Sequence, residues 1–266
     1  MMQRKKFESS QKNKNSGIWI FGKHPTFMAL EKKRRKIYQI LVTQASLNIL
    51  GEFLKKTNLQ SLKDKVRVVD NNYIELIIGK NQIHQGFALN CSNLEVKYQN
   101  DLIDELENIK EKGAKLPTLL IMDQLTDPHN IGAIIRSASA FGVDKIIFPE
   151  NNFAKESAIM VKSSSGTIEN VDLFMVVNLS KLMEKLKQLD YWCVGLAGEA
   201  KSELLAISNY ENIALIIGSE GDGIRSLVKK NCDLLVKIPM NRDVESLNAS
   251  VACSIALYEI SKNAKK

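Results

Sequence analysis

The chain contains 266 residues, of which 44% are hydrophobic and 25% are charged, and it carries a formal net charge of +7. This composition is typical of a soluble globular protein with two domains of ordinary size, and the positive charge favours a polyanionic partner such as a nucleic acid. The longest apolar runs have the length of single buried strands, far below the roughly 18 residues that a membrane span needs, so we expect no transmembrane helix.

The first 16 residues are rich in Lys, Arg, Asn and Gln and lack the apolar stretch of a secretory signal. We predict that residues 1–16 form a disordered basic tail. The four cysteines are widely spaced and show no C-x-x-C pattern. This spacing favours reduced thiols in a cytoplasmic protein and implies neither a disulfide nor a metal site.

Residues 17–97 are predicted to form a small α/β domain. Apolar runs predict strands at Ile37–Val42, Val66–Val69 and Gly86–Cys91. The spacing of apolar residues predicts helices around Phe27 and at residues 47–54 and 73–78. A basic block at residues 32–36 fits either a solvated surface or an RNA contact. Residues 98–117 are predicted to be a short helix followed by a linker, which Gly113 and Pro117 interrupt.

Residues 118–266 alternate strands and helices more regularly. The predicted strands are 118–123, 145–148, 172–177, 191–197, 213–217 and 234–238, and the predicted helices begin at Ile131, Ser180, Gly223 and Ser246. This alternation predicts a mostly parallel sheet with helices on both faces. Ligands bind such sheets at the carboxyl ends of the strands.

Three polar segments follow predicted strands of this sheet: DPHNIGAIIRSA at 127–138, IIGSEGDG at 216–223 and IPMNRDVESLNAS at 238–250. Each has an ordinary structural interpretation. Asn130 could cap a helix with a surface arginine, the glycines could form a tight turn, and Ser246 or Asn248 could cap the last helix. None matches a P-loop or a dinucleotide fingerprint, which disfavours a nucleotide-binding protein of those types. Together, however, they place small and polar residues at three strand ends, which indicates a shared site.

In order and spacing, these segments resemble the three motifs of the SpoU/TrmH family of RNA ribose methyltransferases, within the SPOUT superfamily. GKHPTFMAL at 22–30 and IHQGFAL at 83–89 are similar to the L30e-like RNA-binding domain of several members. The resemblance implies an α/β fold with an L30e-like N-terminal domain at 17–97. It also implies a SPOUT domain at 118–266 with a deep trefoil knot, and a homodimer that pairs through the knot region.

The resemblance also implies the cofactor and the site. S-adenosylmethionine would bind in the knot, without any metal, at Gly198, Ile217, Gly218, Ile238 and Leu247. The matching catalytic positions are Asn130, Arg136, Glu220, Ser246 and Asn248. The family often assigns the arginine as general base. Because a guanidinium has a pKa above about 12, a phosphate clamp or electrostatic stabilisation fits Arg136 at least as well.

The substrate implied by the resemblance is structured RNA. Among relatives with this N-terminal domain, a guanosine of large-subunit (23S) ribosomal RNA is the commonest expectation, and a transfer RNA position is the alternative. A further alternative is a non-catalytic RNA-binding or ribosome-assembly protein with the same fold. All five catalytic residues of the motifs are present in this sequence, which disfavours that last alternative.

Overall fold

The computed structural model describes residues 17–152, 156–241 and 243–264. The predicted basic tail at 1–16 therefore lies outside the described residues. The chain divides into two compact units between Leu94 and Glu95. In the described ranges, no helix is long and apolar enough to cross a bilayer.

Unit 1 contains a four-stranded sheet in the order β1-β4-β2-β3, in which only β2 and β3 are parallel. Its elements are β1 (Ile18–Phe21), α1 (Lys23–Lys32), β2 (Ile37–Thr43), α2 (Leu47–Lys56), β3 (Val66–Val69), α3 (Asn71–Ile78) and β4 (Phe87–Cys91). Every residue of β4 is buried, as expected for a central strand. The three predicted strands are present, and β1 is an additional one.

The basic block of unit 1 is not uniform. Arg35 is only 5% exposed, and its Nη1 donates to the Ser92 backbone oxygen at 2.9 Å. This hydrogen bond joins the segment before β2 to the residue that follows β4. Arg35 is therefore buried within the domain, whereas the neighbouring positions 32–34 and 36 are exposed.

Unit 2 is built on an eight-stranded sheet in the order β10-β12-β9-β11-β6-β7-β8-β5, and all its strand pairs are parallel. Its strands are β5 (Val96–Tyr98), β6 (Leu119–Met122), β7 (Lys145–Pro149), β8 (Asp172–Val176), β9 (Trp192–Leu196), β10 (Ser202–Glu203), β11 (Ile213–Ile217) and β12 (Leu234–Lys237). Its helices are α4 (Gln99–Glu111), α5 (Pro128–Ala140), α6 (Ala158–Ser163), α7 (Leu179–Gln188), α8 (Ser226–Lys230) and α9 (Ala249–Ala264).

The segment predicted as a short helix and linker carries α4, which is part of unit 2. Leu102, Ile103 and Leu106 of α4 are buried in the core of that unit, and β5 pairs with β8. The division into 17–97, 98–117 and 118–266 stays a prediction.

The strand order places the site. The chain runs from β6 to β7 and β8 on one side, then crosses to β9, β11 and β12 on the other. In a parallel sheet this reversal opens a crevice at the carboxyl ends of the strands. In this order β9 lies between β11 and β12. The trefoil knot stays a prediction.

Candidate functional site

A cavity of about 470 Å³ lies at the carboxyl ends of β9, β11 and β12. The three loops that follow these strands supply its walls. The five predicted cofactor positions all line it: Gly198, Ile217, Gly218, Ile238 and Leu247. Ser246 and Glu220, predicted as catalytic, line it as well.

The loop after β11 needs a glycine at its start. Ser219 and Gly223 exchange two backbone hydrogen bonds of 3.2 and 3.1 Å, which fold the loop back over Gly218. A Cβ atom on Gly218 would lie 2.0 Å from the Gly223 carbonyl carbon, and Gly223 itself has a φ of 67°. The motif's glycines are therefore required by this turn.

The Ser219 side chain adds a polar atom to the same wall. Its Oγ is buried and finds no hydrogen-bond partner among the described residues. A buried hydroxyl without a partner is costly unless something satisfies it. The cavity therefore fits a ligand with polar groups as well as apolar surface.

Glu220 joins the three motifs at the edge of the cavity. Its Oε1 accepts from Asn130 Nδ2 at 3.1 Å and from Asn248 Nδ2. The Asn248 Nδ2 also donates to Asn130 Oδ1 at 3.1 Å. The Ala249 backbone N–H donates to Glu220 Oε1 at 3.2 Å. One carboxylate thus fixes two amide side chains from segments that are far apart in sequence.

The helix caps differ in part from the sequence prediction. Asp127, rather than Asn130, caps α5, because its carboxylate accepts from the His129 and Asn130 backbone N–H groups at 3.1 and 3.4 Å. Pro128 occupies the first helical position, so α5 begins three residues before the predicted start. At α9, Asn248 Oδ1 accepts from the backbone N–H of Ser250 at 2.9 Å and caps the helix. Ser246 remains exposed in the cavity wall.

Arg136 lies apart from the Glu220 network. It is exposed on α5, about one and two-thirds turns after Asn130, and it does not line the cavity. Within the described ranges, its guanidinium makes no hydrogen bond or ion pair. The helix beneath it is fixed, since Ser137 Oγ lies 2.7 Å from Ser254 Oγ of α9. Arg136 is therefore a cation available to a ligand next to the site.

Three residues in or near the site were not predicted from the sequence motifs. Glu199 and Lys229 line the cavity and form an ion pair, and the hydrogen bond from Lys229 lowers the pKa of the Glu199 carboxyl. Asp123, at the end of β6, is fully buried against Arg225. A carboxylate directly after an apolar strand was the available sequence signal for Asp123.

Cys193, Cys232 and His84 act as structural residues. Burial raises the pKa of the Cys193 and Cys232 thiols to about 12, so neither is a reactive thiolate near neutral pH. His84 is buried, and its Nδ1 accepts from the Gly86 backbone N–H at 3.1 Å. In the described part of the chain, no group of three or more His, Cys, Asp or Glu residues could hold a metal ion.

Two family models match the chain: the SpoU rRNA Methylase family over residues 117–258, and the RNA 2'-O ribose methyltransferase substrate binding domain over residues 19–97. A 23S rRNA (guanosine-2'-O-)-methyltransferase RlmB from Coxiella burnetii is 36% identical over 248 residues, covering 91% of this chain and 94% of the relative. Its counterpart from Xylella fastidiosa strain Temecula1 is 33% identical over 245 residues, with the same coverage.

Solved structures share the fold. The SpoU methyltransferase AviRb from Streptomyces viridochromogenes, in complex with AdoMet, matches with a TM-score of 0.72 at 20% identity, covering 95% of this chain and 94% of AviRb. An AdoMet-bound rRNA methyltransferase from Sinorhizobium meliloti gives a TM-score of 0.72 at 17% identity, covering 92% and 87%. These matches confirm the predicted α/β fold class, and the sequence matches across both domains show that the chain belongs to the SpoU rRNA methylase family.

Proposed function

We propose that the protein is an S-adenosylmethionine-dependent RNA ribose 2'-O-methyltransferase that acts on a guanosine of 23S ribosomal RNA in the cytoplasm. The observation that carries the proposal is the union of the three motifs in one site, where the Glu220 network borders a cavity at the strand ends. The names of relatives that align over more than nine-tenths of both chains support the choice of RNA.

The cavity fits the methyl donor. Its volume of about 470 Å³ lies within the range of roughly 300–1,000 Å³ for small-molecule sites. Backbone groups of Gly198, Ile217 and Gly218 on one side, and of Ile238 and Leu247 on the other, would hold the adenosine. The Ser219 hydroxyl offers a buried polar partner. When bound, S-adenosylmethionine supplies an electrophilic methyl group on a sulfonium.

The protein's own residues supply alignment and charge. The 2'-hydroxyl is a poor nucleophile until its oxygen's developing negative charge is stabilised. The Arg136 guanidinium is free to stabilise that oxygen or to clamp the adjacent phosphate. Asn130 and Asn248, held by Glu220, position the ribose, and Ser246 offers a hydroxyl in the cavity wall.

Unit 1 would hold the RNA, as the substrate-binding family match over residues 19–97 supports. Exposed cations beside α1, at positions 32–34 and 36, suit a phosphate backbone. This contact is sequence-independent and should weaken with salt.

A homodimer completes the proposal. Val251, Ile255 and Tyr258 form an apolar stripe along one face of α9 and are 47%, 37% and 54% exposed. Their spacing of four and three residues places them on the same face of the helix, and a second copy of the chain would cover it. Ile255→Glu should therefore yield a monomer in light scattering, because a charge cannot be buried there without a partner. Leu227→Glu, at an exposed apolar residue outside α9, is the control. A dimeric Ile255→Glu protein would disprove this interface.

The deciding experiment maps ribose methylation across total RNA with and without the protein. We expect the loss of one methylated guanosine in 23S rRNA. Loss of a transfer RNA methylation would favour the transfer RNA alternative. No lost methylation, in cells where the protein is made and folded, would favour a non-catalytic RNA-binding protein.

Cofactor binding gives a second test, on Gly218. Titration calorimetry in the presence of a chelator should show S-adenosylmethionine binding to the wild-type protein without RNA. Gly218→Ala should weaken binding by more than about tenfold, because the new methyl group would force the loop away from Gly223. Gly51→Ala, where an added Cβ meets no atom within 4 Å, is the control. Wild-type affinity in a folded Gly218→Ala protein would contradict the loop assignment.

A further inference from the structure

An ion pair between a buried carboxylate and a partly exposed arginine lies at the base of the cavity loop. Asp123 directly follows β6 and is 0% exposed. Its Oδ1 accepts from Arg225 Nε at 2.8 Å and from Arg225 Nη2 at 2.7 Å. Its Oδ2 accepts from the Arg225 backbone N–H at 2.9 Å. The carboxylate thus fixes both the side chain and the main chain of Arg225.

Asp123 holds both ends of one loop. Its own backbone N–H donates to the Ile217 carbonyl oxygen at 2.7 Å, just before the loop 218–224. Arg225 stands just after that loop. All seven residues of the loop line the cavity. The base of the loop is therefore anchored to β6, while its middle is attached to Asn130 through Glu220.

The same residue leads into the other half of the site. The connection from Asp123 to Asp127 enters α5, which carries Asn130 and Arg136. A displacement of Asp123 relative to Arg225 would therefore change the distance between the cavity loop and α5, the helix that carries Arg136.

We propose that Asp123 and Arg225 form a positioning pair that sets the cofactor loop 218–224 against the β6–α5 segment. This inference rests on the proposed function, since the loop is taken to hold S-adenosylmethionine. The planar guanidinium fork directs two N–H donors, Nε and Nη2, to Oδ1 and leaves Oδ2 for the Arg225 backbone N–H. A lysine ammonium cannot reproduce this geometry. Neither residue of the pair lines the cavity, so the pair acts through the loop.

The test uses full-length Arg225→Ala and Arg225→Lys proteins. We expect Arg225→Ala to raise the Kd for S-adenosylmethionine by about tenfold or more, since small displacements of binding groups are costly. Arg225→Lys should fold, keep part of the affinity and show a Kd severalfold above wild type. In steady-state methylation, KM for the cofactor should rise more than kcat falls, because Glu220 still holds Asn130 and Asn248.

The matched control is Lys187→Ala. Lys187 forms a 2.7 Å ion pair with Asp233 in the same unit, and its side chain is 36% exposed against 39% for Arg225. Neither Lys187 nor Asp233 lines the cavity. It should bind cofactor as wild type does, with circular dichroism melting reporting the fold of every variant.

Three outcomes decide the proposal. A folded Arg225→Lys protein with wild-type Kd overturns it, and so does an Arg225→Ala protein no weaker in binding than Lys187→Ala. If Arg225→Ala does not fold, the Arg225→Lys result decides alone. A wild-type protein that binds no S-adenosylmethionine would instead refute the proposed function itself.

Discussion

Arg136→Ala should lower the rate of methyl transfer by roughly 10²- to 10³-fold at saturating RNA and cofactor, while the cofactor Kd stays near wild type. A loss of this size is typical when one group that stabilises developing charge is removed. Binding should be spared because Arg136 does not line the cavity. Because Arg136 is exposed on α5, its removal should leave the fold intact. Single-turnover methylation and calorimetry measure the two quantities separately.

Arg136→Lys distinguishes the roles left open by the sequence. Lysine keeps the positive charge and loses the planar fork. Substantial recovery of the rate would indicate electrostatic stabilisation, and failure to recover would indicate a geometric clamp or a base role. Lys185→Ala removes another exposed cation of unit 2, on α7, and should leave the rate unchanged. If Arg136→Ala transfers methyl groups at the wild-type rate, the arginine is only a surface residue of its helix.

The strands of unit 2, and hence their carboxyl ends, were predictable from the sequence because most of these strands are regular runs of apolar residues. The five predicted cofactor positions line one cavity for this reason: parallel strands bring their carboxyl ends to the same edge of the sheet. Asn130, Glu220 and Asn248 came from separate motifs and do meet. Arg136 was predicted for catalysis and not for cofactor binding; it lies outside both the cavity and this network, and its role stays a prediction.

Other features depend on tertiary structure that no local pattern encodes. Asp127 and Asn130 are both good helix caps, and the choice of Asp127 follows from Pro128 at the first helical position. The sequence predicted a short helix within residues 98–117, but it did not reveal that the apolar face of this helix is buried in a core. The Asp123 and Arg225 pair joins residues 102 positions apart, so only the sheet order brings them together.

Glu220 should be the second position at which a single substitution removes most activity. Its Oε1 accepts from Asn130, Asn248 and the Ala249 backbone N–H. Glu220→Ala would leave both amides without their common acceptor and the first turn of α9 without one of its partners. We expect kcat to fall by roughly 100-fold, since the ribose would no longer be aligned.

Glu220→Gln separates geometry from charge. The glutamine carbonyl oxygen can still accept from Asn130 and Asn248, so a variant that regains much of the lost rate would show that Glu220 acts by orienting these amides. A glutamine variant as slow as the alanine variant would show that the negative charge itself is needed, as expected if it balances the Arg136 cation around the reacting ribose. Glu211→Gln, an exposed carboxylate outside the cavity, controls for the loss of charge. If Glu220→Ala keeps the wild-type kcat, the network is a structural cap of α9, and the alignment of the ribose must then come from Arg136 and Ser246 alone.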